Sequence, residues 1–335
     1  MAISSSTVDV SAYRALTDAD AVTAGLGSVG YIATDDISTL VFLAERLRKP
    51  ILIEGPAGVG KTDLAVSLGR WLEVPVTRLQ CYEGLDEAKA LYEWQYGKQL
   101  LYTQLLRDRL SAILGEASDL ETLTGRLHDF DDIFFSPDFL APRPLLKAMQ
   151  QQGPSVLLID EIDKSDEEFE AFLLEVLADY QVTIPEIGTI KAGVPPLVIL
   201  TSNNVRELSD ALKRRCLHLH IGFPDAERER QIVRARVPDV SDILLSQLVA
   251  FVQSLREADI KKRPSIAETV DWARTLLLMH ADILNDAMVR STLNVLLKHE
   301  SDIAAVKRDL PNMARAARDS SGTTGRMASG FPDLS

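Results

Sequence analysis

The sequence predicts a doubly wound α/β domain with a parallel sheet, followed by a small domain made only of helices. Two apolar runs, Val156–Ile159 and Leu197–Leu200, are continuous, as strands buried on both faces of a parallel sheet should be. A third run, Ile51–Ile53, ends abruptly in a glycine-rich loop that a helix-like segment follows. From Asp225 to about Asp309 only helical periodicity is present, which predicts the second domain.

The glycine-rich loop matches the phosphate-binding pattern G-x-x-x-x-G-K-[ST], in the strand–loop–helix context that this pattern requires. Its residues are Gly55, Pro56, Ala57, Gly58, Val59, Gly60, Lys61 and Thr62. Glycines let successive backbone N–H groups face one concavity, and the helix start adds its own unpaired N–H groups. We expect Lys61 to reach the β- and γ-phosphates of a nucleoside triphosphate, and the Thr62 hydroxyl to ligate Mg²⁺. The full match between a strand and a helix disfavours an ordinary glycine-rich turn.

Acidic and amide side chains follow the other two predicted strands. Asp160 and Glu161 come directly after Val156–Ile159, at the edge where open α/β sheets bind ligands. Paired acids after a strand are commonly a solvated turn. On a chain with a phosphate-binding loop, they predict Mg²⁺ binding by Asp160 and water activation by Glu161. Asn203 follows the third strand and would orient the attacking water or contact the γ-phosphate, although an asparagine there is by itself typical of a turn.

Arginines further along the chain are candidates for stabilising the charge on a transferring phosphoryl group. The cluster Lys213-Arg214-Arg215 is either solvated surface or the source of an arginine presented to the γ-phosphate of a neighbouring subunit. Arg263 or Arg274 could reach back to the nucleotide from the helical domain, and either could equally be a surface residue.

The chain divides into four predicted regions. They are a flexible arm (1–30), an α/β nucleotide-binding domain (31–223), a helical lid domain (224–310) and a disordered tail (311–335). An insertion near 80–100 interrupts the nucleotide-binding domain and carries the aromatic segment Tyr92–Lys98. Its aromatic side chains either pin the loop to the domain or contact a substrate, and the sequence leaves both open. A small hairpin is predicted over Gln181–Lys191.

Composition narrows the function classes. The formal net charge of −13 over 335 residues argues against nonspecific nucleic-acid binding, which needs a basic surface to displace counterions. No apolar run of about 18 residues predicts a membrane span, and no basic segment followed by an apolar core predicts a secretory signal. The two cysteines, Cys81 and Cys216, form no C-x-x-C pair and indicate reduced thiols in a cytoplasmic protein.

The chain resembles AAA+ ATPases, most closely the MoxR branch, in a set of ordered motifs. They are Gly55–Thr62, Leu157–Asp163, Thr201–Asn204, Leu208–Cys216 and the helical lid. The resemblance implies the following roles: Lys61 and Thr62 in Walker A, Asp160 and Glu161 in Walker B, Asn203 as sensor 1, and Arg215 as the arginine finger. The chain departs from the family at sensor 2, where Pro264-Ser265-Ile266 replaces the usual Ser-Pro-Arg, and Arg263 is the expected substitute.

The resemblance also implies a function. Members of this family typically form ring homo-oligomers, often hexamers, use ATP and Mg²⁺, and often work beside a von Willebrand factor A domain protein. The segments Glu168–Lys191 and Pro264–Leu276 look like the Cox-type members found with carbon monoxide dehydrogenase genes. The resemblance thus implies an ATP-hydrolysing chaperone that matures a client metalloenzyme, a molybdenum hydroxylase such as carbon monoxide dehydrogenase.

Two other function classes are weighed against the chaperone. A nucleotide-dependent switch or scaffold with slow ATP turnover is the main alternative, and the presence of Glu161 argues against it because a switch can dispense with that acid. A DNA-acting machine is disfavoured by the acidic balance of the chain and by the lack of a recognisable DNA-binding module.

Overall fold

The computed structural model describes residues 13–102, 104, 137–185 and 187–323. These residues form two compact units. The first contains the chain up to Leu16, Phe42–Leu52 and Leu72–His218, and the second contains Thr17–Val41, Ile53–Trp71 and the chain from Leu219 onward. In the described residues, no helix is both long enough and apolar enough to cross a lipid bilayer.

The strands of the described residues form one central sheet and two small two-stranded sheets. In chain order they are β1 (Ile51–Glu54), β2 (Val76–Gln80), β3 (Tyr92–Trp94), β4 (Leu140–Pro142), β5 (Val156–Asp160), β6 (Gln181–Ile184), β7 (Gly188–Lys191), β8 (Leu197–Ser202) and β9 (Leu217–His220). The central sheet has the order β2-β5-β8-β1-β9. The pairs β2–β5 and β5–β8 are parallel, and every residue of β5 and β8 is buried. The predicted parallel sheet with strands buried on both faces is therefore confirmed.

Helices are interspersed with the strands along the chain as far as β9, and after β9 the described residues form only helices. In chain order they are α1 (Ala19–Ser28), α2 (Asp35–Leu47), α3 (Lys61–Leu72), α4 (Glu87–Leu91), α5 (Pro144–Met149), α6 (Glu167–Asp179), α7 (Asp210–Arg215), α8 (Ala226–Arg236), α9 (Asp242–Glu257), α10 (Ile266–Leu278), α11 (Asp286–Leu296) and α12 (Glu300–Thr323). Residues 96–102 are also helical. Helices α8 to α12 share an apolar core around Phe251 and Trp272, which confirms the predicted helical C-terminal region.

The N-terminal part of the chain corrects the prediction of a flexible arm over residues 1–30. Residues 1–12 lie outside the described residues, but Tyr13 is buried and its hydroxyl joins the starts of β5 and β8. It donates to the Ser155 carbonyl oxygen (2.6 Å) and accepts from the Leu197 amide (2.9 Å). Helix α1 then begins at an Asp18 cap and buries Val22 and Leu26. Val22 and Leu26 are four residues apart and lie on the same face of α1, a pattern that the surrounding small and polar residues make hard to recognise in the sequence.

The C-terminal part corrects the prediction of a disordered tail over 311–335. Helix α12 continues to Thr323, and residues 324–335 lie outside the described residues. Pro311 lies inside this helix, yet Leu310, Ala314 and Ala317 are all buried. Their spacing of four and three residues places them on one helical face, and this burial offsets the cost of the proline.

The two small two-stranded sheets bear on other predictions. Strands β6 and β7 pair antiparallel across a turn that ends at Gly188, so the hairpin predicted over Gln181–Lys191 is confirmed. In the insertion near 80–100, β3 pairs with β4, and the Tyr92 and Trp94 rings contact each other edge to face. Both rings pack against the core of the first unit, as in the pinned-loop interpretation, whereas Tyr96 is exposed.

Candidate functional site

The loop between β1 and α3 has the backbone geometry that its glycines predict. Gly55 has φ +150° and Gly58 has φ +74°, conformations that side chains with a Cβ rarely adopt. A Cβ on Gly55 would lie 2.0 Å from the Ile221 carbonyl oxygen, and one on Gly58 would lie 2.5 Å from the Ser265 Cβ. Glycine is therefore needed at both positions because other parts of the second unit approach the loop closely.

Lys61 and Thr62 occupy the first two positions of α3, where the sequence places them. Lys61 is buried, and its Nζ donates to the carbonyl oxygens of Gly55 (2.6 Å) and Pro56 (2.7 Å). The ammonium group is thus held over the concave side of its own loop. Thr62 is half-buried beside it, at the helix start where unpaired N–H groups and the helix dipole favour an anion.

The same loop packs against the helices of its own unit, which sequence reasoning did not anticipate. The Val59 side chain belongs to the apolar core formed by α8 to α12. Ser265, which approaches Gly58, is the N-cap of α10 and forms a capping box with Glu268. Arg236 of α8 pairs with Asp63, the residue after Thr62. The loop between β1 and α3 is therefore built together with helices of the second unit.

A buried charge network fixes the start of α10. Glu229 of α8 is fully buried and accepts two hydrogen bonds from the Arg256 guanidinium (2.7 and 2.6 Å) and one from the Thr269 hydroxyl (2.8 Å). Arg256 Nε donates to the Pro264 carbonyl oxygen (2.9 Å), one residue before Ser265. The residues of this network are scattered over three helices, so no local motif indicates them.

In the first unit, Asp160 ends β5 and is almost fully buried. Its Oδ1 accepts a hydrogen bond from the Thr201 hydroxyl (2.5 Å), and its Oδ2 accepts one from the Arg78 guanidinium (2.5 Å). The nearby Cys81 thiol has its pKa raised to about 12 by burial and, secondarily, by the negative charges of Asp160, Asp163 and Glu161. Three carboxylates are therefore clustered near the end of β5, and the Arg78 guanidinium contacts one of them, that of Asp160.

Glu161 has a left-handed backbone conformation (φ 57°, ψ 49°), which is uncommon for a residue with a side chain and is often found at functional sites. Its amide donates to the Thr201 hydroxyl (3.0 Å). Its carboxylate accepts hydrogen bonds from Gln80 (2.9 Å), Lys164 (2.6 Å) and Asn203 (3.2 Å). The ion pair with Glu161 raises the pKa of Lys164. Glu161 and Asn203, predicted separately from the sequence, are thus brought into direct contact.

Asp163 holds the loop that carries Asn203. Its Oδ2 accepts hydrogen bonds from the backbone amides of Asn203 (3.0 Å) and Val205 (2.9 Å). The side chain is buried, and its Oδ1 has no hydrogen-bond partner among the described residues. Asp163 lies at the end of the motif Leu157–Asp163, but the partners of its carboxylate become visible only in three dimensions.

The four candidate arginines are exposed on the surface of their units. Arg215 is exposed at the end of α7 and donates to the Leu174 carbonyl oxygen (3.1 Å). Arg214 is exposed beside it, and Arg263 is exposed just before Pro264. Arg274 is exposed and pairs with Asp271 on its own helix.

Comparison with known proteins gives one family match. Residues 51–225, more than half of the chain, match the model of the ATPase family associated with various cellular activities (AAA). Uncharacterised proteins of Staphylococcus aureus, strains USA300 and COL among them, are 26% identical over 238 residues, which span 69% of this chain and 76% of theirs.

Solved structures of Thermotoga maritima RuvB are also similar to this chain. A RuvB mutant covers 83% of this chain and 70% of its own at 20% identity, with a TM-score of 0.44. The RuvB Holliday junction branch migration motor covers 77% of this chain and 66% of its own at 18% identity, with a TM-score of 0.40.

Proposed function

Since the chain belongs to the AAA family of ATPases, we propose that it binds and hydrolyses ATP and uses the energy to remodel a client protein. The observation that carries this proposal is the backbone conformation of Glu161 and the hydrogen bonding of its carboxylate. A carboxylate in a left-handed turn after a buried strand is held by an amide from each neighbouring strand region, Gln80 and Asn203. Such an arrangement aims a base at one place, which binding alone would not need.

Each group of residues has a role in this proposal. The N–H groups of the loop and of the start of α3 bind phosphate oxygens, and Lys61 balances the charge of the β- and γ-phosphates. Glu161 takes a proton from the attacking water while Asn203 holds that water or the γ-phosphate. Arg215, exposed at the end of α7, is proposed to serve a neighbouring subunit. Arg263, exposed just before Pro264, is the proposed contribution of the lid.

Asp160 and Thr62 are proposed to hold Mg²⁺, and the donor set fits this cation. Carboxylate and hydroxyl oxygens are the ligands that Mg²⁺ accepts in nucleotide sites. Asp160 Oδ2 already holds a positive group, the Arg78 guanidinium, at 2.5 Å, so a cation can reach this oxygen. When bound, Mg²⁺ would neutralise charge on the phosphate oxygens.

The test of hydrolysis compares the wild type with Glu161→Gln and Lys61→Ala. Loss of a positioned general base lowers turnover by about 10²- to 10⁴-fold, so we expect Glu161→Gln to bind a fluorescent ATP analogue normally and to release almost no phosphate. Lys61→Ala should lose binding as well. A Glu161→Gln variant with wild-type turnover would contradict the assignment.

At a finer level, we propose a chaperone of the MoxR type, closest to the Cox-type members, that acts in the cytoplasm as a ring homo-oligomer, a hexamer in the simplest case. The motif order described above supports this branch. We further propose residues 31–223 as its nucleotide-binding domain and 224–310 as its lid. The proposed partner is a von Willebrand factor A domain protein, and the proposed client is a molybdenum hydroxylase such as carbon monoxide dehydrogenase.

Deletion of the gene tests the client. We expect the dehydrogenase to accumulate with an incomplete metal centre, detected by metal analysis and activity of the purified enzyme. A fully active dehydrogenase with an intact metal centre in the deletion strain would refute this client. A nucleotide switch remains the alternative function, and it predicts that Glu161→Gln supports maturation as well as the wild type does.

A further inference from the structure

We propose that Arg78 is an internal counter-ion that competes with Mg²⁺ for Asp160 and so sets the Mg²⁺ concentration at which the protein loads its nucleotide. The inference deepens the proposed function and rests on it. It concerns a residue that no motif of the sequence indicates. Its basis is a side chain on the edge strand of the sheet and the two groups that this side chain contacts.

The first step is the register of β2 against β5. Gln80 lies opposite Asp160, and Arg78 lies two residues before Gln80, so both side chains project from the same face of β2. Arg78 Nη2 lies 2.5 Å from Asp160 Oδ2 and 2.5 Å from Gln80 Oε1. The guanidinium therefore bridges the carboxylate proposed to ligate Mg²⁺ and the amide that contacts Glu161.

The second step is what this contact does to Asp160. The carboxylate has two oxygens, and one of them is already bound by the Thr201 hydroxyl. The other is covered by Arg78, and the Asp160 side chain is only 4% exposed. Because the guanidinium neutralises this buried negative charge, a Mg²⁺ ion can use the oxygen only when the guanidinium leaves it.

The third step is that Arg78 can leave. Its side chain is 55% exposed, and β2 is the terminal strand of the described sheet, so β2 has a neighbouring strand of that sheet on one side alone. The exchange of one cation for another at Asp160 keeps the buried carboxylate neutralised throughout. The apparent affinity for Mg²⁺ is then reduced by the fraction of molecules in which Arg78 occupies the oxygen.

Lys164 provides a matched comparison within the same site. It forms an ion pair of 2.6 Å with Glu161 and is exposed to a similar extent, 47%. Like Arg78, Lys164 places a positive charge close to the Asp160 carboxylate. The negative charge of Asp160 contributes to the raised pKa of Lys164. Unlike Arg78, it covers no oxygen of Asp160 in the hydrogen bonds of the described residues.

The experiment measures metal binding without turnover. Wild type, Arg78→Met, Arg78→Lys and Lys164→Met are titrated with Mg²⁺ at a fixed concentration of a fluorescent non-hydrolysable ATP analogue, and Mn²⁺ binding is followed by electron paramagnetic resonance. We expect Arg78→Met to lower the half-saturating Mg²⁺ concentration about three- to tenfold, the range expected for loss of one half-exposed charged hydrogen bond. Arg78→Lys keeps the charge but loses the planar guanidinium, so its half-saturating Mg²⁺ concentration should lie between those of Arg78→Met and the wild type.

The outcomes separate the hypotheses. A shift for Lys164→Met below about half of that for Arg78→Met supports direct competition at Asp160, because through-space repulsion would act on both variants. An unchanged or raised midpoint for Arg78→Met overturns the inference, as does an equal shift for Lys164→Met. If Arg78→Met fails to fold by circular dichroism, Arg78→Lys decides, and an unchanged midpoint there overturns it. Failure of the wild type to bind the analogue at any Mg²⁺ concentration refutes the proposed function itself, and this inference with it.

Discussion

The two groups of candidate residues differ in how their charges are balanced. On the loop side, the Lys61 ammonium is held by two backbone carbonyl oxygens within six residues of itself. On the carboxylate side, Asp160 and Glu161 are held by side chains from β2, from the turn after β5 and from the end of β8. The position of the Lys61 ammonium is thus set by nearby residues of the loop itself, whereas the positions of the two carboxylates depend on three separate segments.

This difference has a consequence for mutations. The loop should lose nucleotide binding when its backbone or its packing is changed. Its packing includes the contacts of Val59 and Gly58 with the helical core and Ser265. The carboxylate side fails when a distant partner is removed, even though the carboxylates themselves remain. The predictions below test each dependence, starting with the largest expected effect.

Removal of the Glu229 carboxylate should damage the loop side most. Glu229→Ala leaves the Arg256 guanidinium buried without a counter-charge, and breaking such a pair costs about 3–5 kcal/mol of unfolding free energy. Urea unfolding followed by circular dichroism measures the loss. Because Arg256 also holds the Pro264 carbonyl oxygen next to Ser265, nucleotide affinity should fall too.

Glu227 is the matched control for Glu229, on the same helix. It pairs with Arg230 but is 63% exposed, and exposed pairs contribute at most about 1 kcal/mol. Glu227→Ala should therefore leave stability and nucleotide binding nearly unchanged. Equal losses in the two variants would show that the buried network does not stabilise the lid.

On the carboxylate side, Asp163→Ala should separate turnover from binding. The change removes two acceptor contacts to the Asn203 loop and should cost about 1–3 kcal/mol of stability. Misplacement of a positioning group by about 1 Å can cost about 100-fold in rate, so turnover should fall by up to that factor while ATP affinity is kept. Asp163→Asn should restore part of the rate because its amide oxygen can still accept.

Asp166 serves as the control for Asp163. It caps α6 by accepting from the Phe169 amide, so Asp166→Ala should cost about 1 kcal/mol of stability without changing turnover. If Asp163→Ala lowers affinity and turnover together, or if Asp166→Ala lowers turnover equally, Asp163 has only a structural role.

Gly58→Ala tests the packing of the loop against the lid. The new Cβ would meet Ser265 at 2.5 Å, and the positive φ would itself cost about 1–3 kcal/mol. We expect ATP affinity to fall about tenfold, which corresponds to about 1.4 kcal/mol. Gly193→Ala is the control, since a Cβ there meets no atom within 4 Å. Normal affinity in Gly58→Ala would mean that the loop tolerates separation from Ser265.

The smallest expected effect concerns the two thiols. Burial raises the pKa of Cys81 and of Cys216 to about 12, above the ordinary thiol value of 9.0. The folded state therefore retains these protons longer than the unfolded state, so the stability that they contribute is present below pH 9 and is lost between pH 9 and 12. At pH 8 iodoacetamide should label neither thiol in the native protein and both in urea. Rapid native labelling at pH 8 would contradict this burial.

The sequence predicted the elements whose signals are local. Gly55–Thr62 between a strand and a helix fixed the loop, and the apolar runs that became β5 and β8 fixed the parallel core with Asp160 and Asn203 at its edge. The capping box at Ser265 also has a local signal, because Glu268 follows it at the spacing that such a box requires.

Other features depend on residues far apart in the chain. Tyr13, called part of a flexible arm, binds Ser155 and Leu197, more than 140 residues away. The helix that continues to Thr323 depends on the burial of Leu310, Ala314 and Ala317, which the local sequence does not indicate. Arg78 carries no motif at all, and only the register of β2 on β5 brings it to Asp160.

The most direct test of the account is turnover in mixtures of two inactive variants. Arg215→Ala keeps its own loop and carboxylates, and Glu161→Gln keeps its arginine. If Arg215 serves a neighbouring subunit, each variant alone should hydrolyse ATP poorly, turnover of the wild type should rise with assembly, and the mixture should regain part of the wild-type rate. Arg214→Ala, the exposed neighbour, should behave like the wild type. An Arg215→Ala variant with full turnover, or a mixture no more active than its parts, would contradict the account.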